Sequence, residues 1–230
     1  MLDSKAATEV QEKLEAYSKG KLTLEQASDG EEWGAKVIAY YLTHSNAVTA
    51  KMKLPIARCY AKFSSYTNAA TLVSEYLHTY TNDARAWDLL AGSKYMLRSF
   101  EDGFAAGTNA LRLGCEKNIT ATAGVALQLN RLDVFESMIA PRLLVLKDAK
   151  ETLRDDKREI LIVLVLYSLQ ANKKDVFTKA LQGVDAEMIL AEPKLKRYVE
   201  LGCDRFGAAG TEQICNKILQ SKGSEPAKEK

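Results

Sequence analysis

Apolar residues return at helical spacing along almost the whole chain. In the stretch 82–114, NDARAWDLLAGSKYMLRSFEDGFAAGTNALRLG, Trp87, Leu90, Ala91 and Tyr95 share one side of a first helix. Phe100, Phe104, Ala110 and Leu111 face it from a second helix. Arg98 and Ser99 break the pattern between the two, and Gly114 ends it. The same rhythm predicts a first helix capped by Asp3 and running to about Lys19, with Val10, Leu14 and Tyr17 as its stripe. A short segment opened by Thr23 follows, then a helix over 31–43 carrying Trp33, Val37, Tyr40 and Tyr41. Helices over 47–63 and 66–80 come next, the second with Tyr66, Ala69, Ala70, Val73, Tyr76 and Leu77 on one face. Beyond Gly114 the pattern predicts helices over 119–129 and 132–145, broken at Asn130-Arg131, and over 154–171 and 175–181, broken at Asn172-Lys173. Short helices over 186–190, 194–206 and 211–220 close the chain. Pro55 predicts a kink or a fresh start within 47–63, and Pro141 a kink within 132–145. The run 160–169, ILIVLVLYSL, is apolar on every side. Its Ile and Val content also permits a strand, but its length and charged lead-in favour a central helix.

A helix pair this short cannot bury its stripe alone and needs similar pairs stacked beside it. Self-similarity appears at an offset of 34 residues: Tyr66 and Phe100, Ala69 and Gly103, Leu77 and Leu111, Ala57 and Ala91. Trp87, Leu90, Ala91, Phe100 and Ala110 keep the Trp, Leu, small, aromatic, Ala order of the tetratricopeptide-repeat family, which the stretch 82–114 resembles. The pattern departs from that family at Gly103 and Gly107 and lacks a closing proline. It is weaker over 49–82, and only the helix-pair rhythm persists over 116–183. The resemblance implies an all-α fold, a right-handed α-solenoid of stacked antiparallel helix pairs. N-terminal helices over 1–46 would run into a tetratricopeptide-like repeat domain over 47–220, with a disordered tail over 221–230. An irregular all-helical domain is the alternative. Some members of that family grip a peptide carboxylate with basic and amide side chains on their first helices, but the equivalent positions here are Asp88 and Gly92.

The 230 residues are 47% hydrophobic and 27% charged, which excludes wholesale disorder, and the net charge of +2 argues against a general nucleic-acid binder. The start lacks a basic region followed by an apolar core, so no signal peptide is expected, and the run 160–169 is too short for a bilayer span of ~20 residues. Four well-separated cysteines, Cys59, Cys115, Cys203 and Cys215, read as reduced small apolar residues of a cytoplasmic protein. A bridge between Cys203 and Cys215 across a helical hairpin is the alternative.

Candidate chemistry is sparse. His44 and His78 lie on different helices without paired ligands, and no phosphate-cradling glycine motif occurs. No metal, cofactor or catalytic residue is expected, and a Cys59–His78 nucleophile pair has nothing but its residue types to recommend it. One charge pattern stands out: between Trp33 and Ser74 there is no acid, while Lys36, Lys51, Lys53, Arg58 and Lys62 are present. Lys51, Arg58 and Lys62 fall on one face of a continuous helix, with Tyr60 close in sequence. These four are the candidate partner-binding residues, the basic wall of a groove for an acidic or carboxylate-ended peptide. The competing reading is a solvated face neutralised by acids such as Glu9, Glu12 and Glu15. The expected function is a non-enzymatic protein–protein interaction module, an adaptor, chaperone or assembly subunit. The alternatives are a structural subunit of a larger complex and a basic-face RNA- or membrane-surface binder.

Overall fold

A computed structural model describes residues 2–207 and 209–222, and every regular element among them is helical. The chain divides into two compact units, Met1–Asn118 and Ile119–Lys230. The first unit holds α1 (Ser4–Ser18), α2 (Leu24–Ser28), α3 (Glu31–His44), two 3-10 turns (Ser45–Ala47 and Ala50–Met52), α4 (Lys53–Lys62), α5 (Tyr66–Leu77), α6 (Ala84–Met96) and α7 (Phe100–Arg112). The starts follow their side chains. Asp3 accepts from the Ala6 amide at 2.7 Å, Thr23 and Gln26 form a reciprocal capping box, and Asp83 accepts from the amides of Arg85 and Ala86. Two indoles tie helices to the loops before them: Trp33 donates to the Ala27 carbonyl at 2.9 Å and Trp87 to that of Thr81 at 2.7 Å.

The turns inside the helix pairs share one construction. Ser64, Arg98, Asn130 and Asn172 each stand in the left-handed region, with φ of 58°, 58°, 53° and 56°. In each case the next amide reaches back five residues: Ser65 to the Tyr60 carbonyl, Ser99 to Lys94, Arg131 to Ala126 and Lys173 to Ser168, at 2.8–2.9 Å. This is the Schellman closure, which satisfies carbonyls that the helix end would leave open. None of the four residues is glycine: Ser64 and Arg98 carry a steric cost of about 1–2 kcal/mol, accepted because both flanking helices are packed, while Asn130 and Asn172 are of a type that enters this region more readily.

In the first unit α3 packs on α4, α4 on α5, and α6 on α4, α5 and α7. The core runs through Val10, Leu14, Val37, Ile56, Ala57, Ala69, Val73, Ala86 and Ala91, all essentially inaccessible. Gly103 lets α7 approach α6 closely, since a Cβ there would meet the Tyr95 ring at 2.5 Å.

Of the kink or fresh start that Pro55 predicts within 47–63, the chain takes the fresh start. Val48 and Thr49 take extended backbone, and α4 begins at Lys53 with Pro55 in its first turn. A continuous helix would have left the Lys51 carbonyl without an amide partner at Pro55, whereas a proline in the first turn forfeits no intrahelical bond. Lys51 therefore sits in a 3-10 turn and not on the helical face of Arg58 and Lys62.

The second unit comprises α8 (Ile119–Gln128), α9 (Leu132–Val134), a π turn (Phe135–Ile139), α10 (Ala140–Asp148), α11 (Arg154–Gln170), α12 (Lys174–Leu181), α13 (Ala186–Leu190), α14 (Pro193–Phe206) and α15 (Glu212–Lys222). In place of a simple kink at Pro141, the chain widens by one π turn just before it. Pro141 supplies no amide to the Ser137 carbonyl, and the wider turn shifts the register past it. The apolar run is helical and central: α11 packs on α8, α10, α12 and α14, and its Tyr167 stacks on Phe135 with ring centroids 4.3 Å apart. The buried Lys147 donates to the carbonyls of Lys179 and Gln182, closing the end of α12.

Two of the four cysteines expected to be reduced are bridged. Cys203 on α14 and Cys215 on α15 form a disulfide with Cα atoms 5.7 Å apart, because the hairpin brings the two helices into direct contact. Cys59 and Cys115 are free thiols. Of the tail expected over 221–230, Ser221 and Lys222 continue α15, and 223–230 lie outside the described residues.

Candidate functional site

Arg58 and Lys62 lie one turn apart on α4 and both face α2. The Arg58 guanidinium stands 3.1 Å from Glu25 and 3.2 Å from Asp29. The Lys62 ammonium is 2.6 Å from Asp29 and also donates to the Ser28 carbonyl. The hydrogen bond from Lys62 and the nearby Arg58 charge hold the Asp29 carboxyl below its usual range. Glu25 is held down by its own backbone amide and by Arg85 and Arg58. Two further cations of the basic segment are also met by acids: Lys36 pairs with Glu32 at 2.8 Å and Lys53 with Glu75 at 2.6 Å. Tyr60 is a core residue, 6% exposed and edge-on to Tyr41. The four sequence candidates thus do not form one surface. Arg58 and Lys62 hold α2 against α4, Tyr60 is buried, and Lys51 is half-exposed on its own turn. The paired acids come from α2 and its C-cap, from α3 and from α5, while on α1 Glu9 pairs with Lys13 and Glu15 with Lys19.

Beside this ion-pair cluster the first unit opens into a cleft of about 700 Å³. Its walls carry Tyr17 from α1, Leu54 from α4, Tyr76 and Tyr80 from the end of α5, and Asp83 and Arg85 from the start of α6. The Tyr76 hydroxyl donates to Asp83 Oδ2 at 2.8 Å, while Oδ1 of the same carboxylate receives the amides of Arg85 and Ala86. Tyr76 and Tyr80 pack with ring centroids 4.7 Å apart. Burial, then the charge of Asp83, pushes the Tyr17 phenol up to about 12. Burial and the hydrogen bond to Asp83 raise Tyr76 as well. Tyr17 and Tyr76 are therefore neutral phenols at ordinary pH, and Asp83 is the carboxylate in the cleft wall. Arg85 at the rim is partly offset by Glu25, 3.4 Å away.

The sequence pattern marks Tyr17 and Tyr76 only as stripe residues. The usable signal was a cluster of tyrosines in place of phenylalanines, since a buried phenol needs a polar partner.

Elsewhere, burial pushes the Cys59 thiol up to about 12, so it remains a thiol at neutral pH. His44 stacks on Tyr40 and shares a hydrogen bond with Thr43. No group of three or more His, Cys, Asp or Glu side chains among the described residues is placed to hold a metal ion. None of the described helices is long and apolar enough to cross a membrane. No protein-family model matches the chain, and no curated protein matches it.

Proposed function

We propose that the chain is a non-enzymatic interaction module, a right-handed stack of tetratricopeptide-like helix pairs that holds a segment of a partner protein as an adaptor, chaperone or assembly subunit. The observation that carries this reading is the recurrence of one turn. Ser64 and Arg98 stand 34 residues apart with the same φ and the same pair of backbone bonds, Asn130 repeats both bonds, and Asn172 repeats the φ and the longer one. First helices also lie against first helices: α4 on α6 in one unit, α8 on α11 and α11 on α14 in the other. Rows of this kind are how repeat proteins build an extended binding surface. The acids facing four of the five cations lend no support to an RNA- or membrane-surface role, which needs unneutralised charge. The cytoplasmic location expected from the sequence stands against the Cys203–Cys215 bridge, a bond that persists in oxidising compartments.

Cross-linking mass spectrometry on the full chain captured with its partner tests the module. Partner cross-links concentrated on α4, α6 and the loops at their ends are expected. Cross-links confined to α15 would overturn the reading in favour of a structural subunit docked through its terminal helix.

A further inference from the structure

We propose that the tyrosine-lined cleft of the first unit is a seat for a cationic side chain, a lysine carried by an extended segment of the partner. This inference rests on the interaction-module reading and specifies its ligand chemistry. Three observations converge. The cleft joins Tyr17, Tyr76 and Tyr80 around one carboxylate, and aromatic rings attract an ammonium through their negative faces. Asp83 uses Oδ1 for two backbone amides and Oδ2 for the Tyr76 hydroxyl. An oxygen accepts along two directions, so those three bonds leave Oδ2 an acceptor position for an incoming ammonium. Finally, the start of α6 would ordinarily attract an anion, but Asp83 already occupies its amides. The seat that a peptide carboxylate would need is filled by the chain itself. Arg85 also lines the cleft, and Glu25, 3.4 Å from it, partly offsets its charge. The groove sought as a basic wall around Arg58 and Lys62 is, a few residues away, lined by phenols and one carboxylate.

The test is a nuclear magnetic resonance titration of the full chain with three blocked pentapeptides, acetyl-Ala-Ala-X-Ala-Ala-amide, where X is lysine, norleucine or glutamate. Norleucine keeps the length of lysine without its charge. The lysine peptide should shift the amides of Thr23, Tyr80, Asp83 and Arg85 saturably. The norleucine and glutamate peptides should bind at least about tenfold more weakly, the scale of a desolvated cation over aromatic rings. Asp83→Asn keeps a good helix cap while removing the charge and the acceptor of the Tyr76 hydroxyl, and should weaken lysine binding about tenfold with the helix content unchanged. Tyr80→Leu should weaken it too, whereas Tyr80→Phe should not. Equal binding of the three peptides, or full lysine affinity in Asp83→Asn, would remove the cation assignment and leave the interaction module intact. Unmoved cleft amides with all three peptides would remove the seat itself. The cross-link map decides the module independently, because it reads the natural partner and not the probe.

Discussion

Gly103 offers the sharpest test of how closely a helix pair is joined. A Cβ at this position would stand 2.5 and 2.6 Å from Cδ1 and Cε1 of Tyr95, and 3.3 Å from the Lys94 Cβ. The two ring atoms are adjacent on one edge, so the ring must withdraw as a body by about 1 Å to reach ordinary contact distance. Otherwise α7 must back away from α6 along a packed seam. Overpacking of this size costs about 1–3 kcal/mol, offset by the ~1 kcal/mol by which alanine favours a helix over glycine. Gly103→Ala should therefore destabilise the first unit by about 1–2 kcal/mol. In a Tyr95→Leu background the obstruction is gone, and the same substitution should stabilise by about 0.5–1 kcal/mol. The coupling between the two sites is then about 2 kcal/mol, large enough to identify a direct contact. Urea titration followed by tryptophan fluorescence is the suitable assay, because Trp33 and Trp87 both lie in Met1–Asn118 and report that unit alone. If Gly103→Ala stabilises the wild-type background as much as the Tyr95→Leu one, the close approach is not what keeps glycine there.

Arg98→Gly should stabilise by about 0.5–1 kcal/mol, since it relieves the left-handed strain of an exposed side chain and the relief exceeds the entropy that glycine adds to the unfolded chain; the same fluorescence titration reads it. Reduction of Cys203–Cys215, whose partners are 12 residues apart, should lower stability by about 2–3 kcal/mol, seen as a fall in melting temperature of the second unit on adding dithiothreitol. An unchanged melt would mean that packing alone seats α15. The tie between α2 and α4 should weaken in acid. The folded-state pKa of Asp29 lies below the ordinary aspartate value of 3.8, so its contribution is present above that value and disappears as pH falls through the folded one. Amide exchange at Ala27 and Asp29, normalised for intrinsic rates, should accelerate below that range in the wild type but not in Asp29→Asn.

Most helices were legible because their stripes are local. The run 160–169 resolved as helix because the charged turn before it continues the same period, and the breaks at Arg98, Asn130 and Asn172 stand where that period lapses. The two proline-bearing segments share a cause. The missing amide predicts a kink or a fresh start at Pro55 and a kink at Pro141, and the chain meets it with the fresh start in one case and a π turn in the other. The candidate site failed differently. Lys62 meets Asp29 across 33 residues of sequence and Arg58 meets Glu25 across a similar gap, and no helical period carries information over that distance. Tyr17, Tyr76 and Asp83 converge from three helices, each with an adequate local reason to be where it is.

The bond between Cys203 and Cys215 also decides what a protease can release. A single cut anywhere between Phe206 and Glu212 severs the backbone but leaves the last helix fastened to its neighbour through sulfur. Without reductant the nicked molecule would still migrate as one piece, and only a thiol would set the C-terminal fragment free.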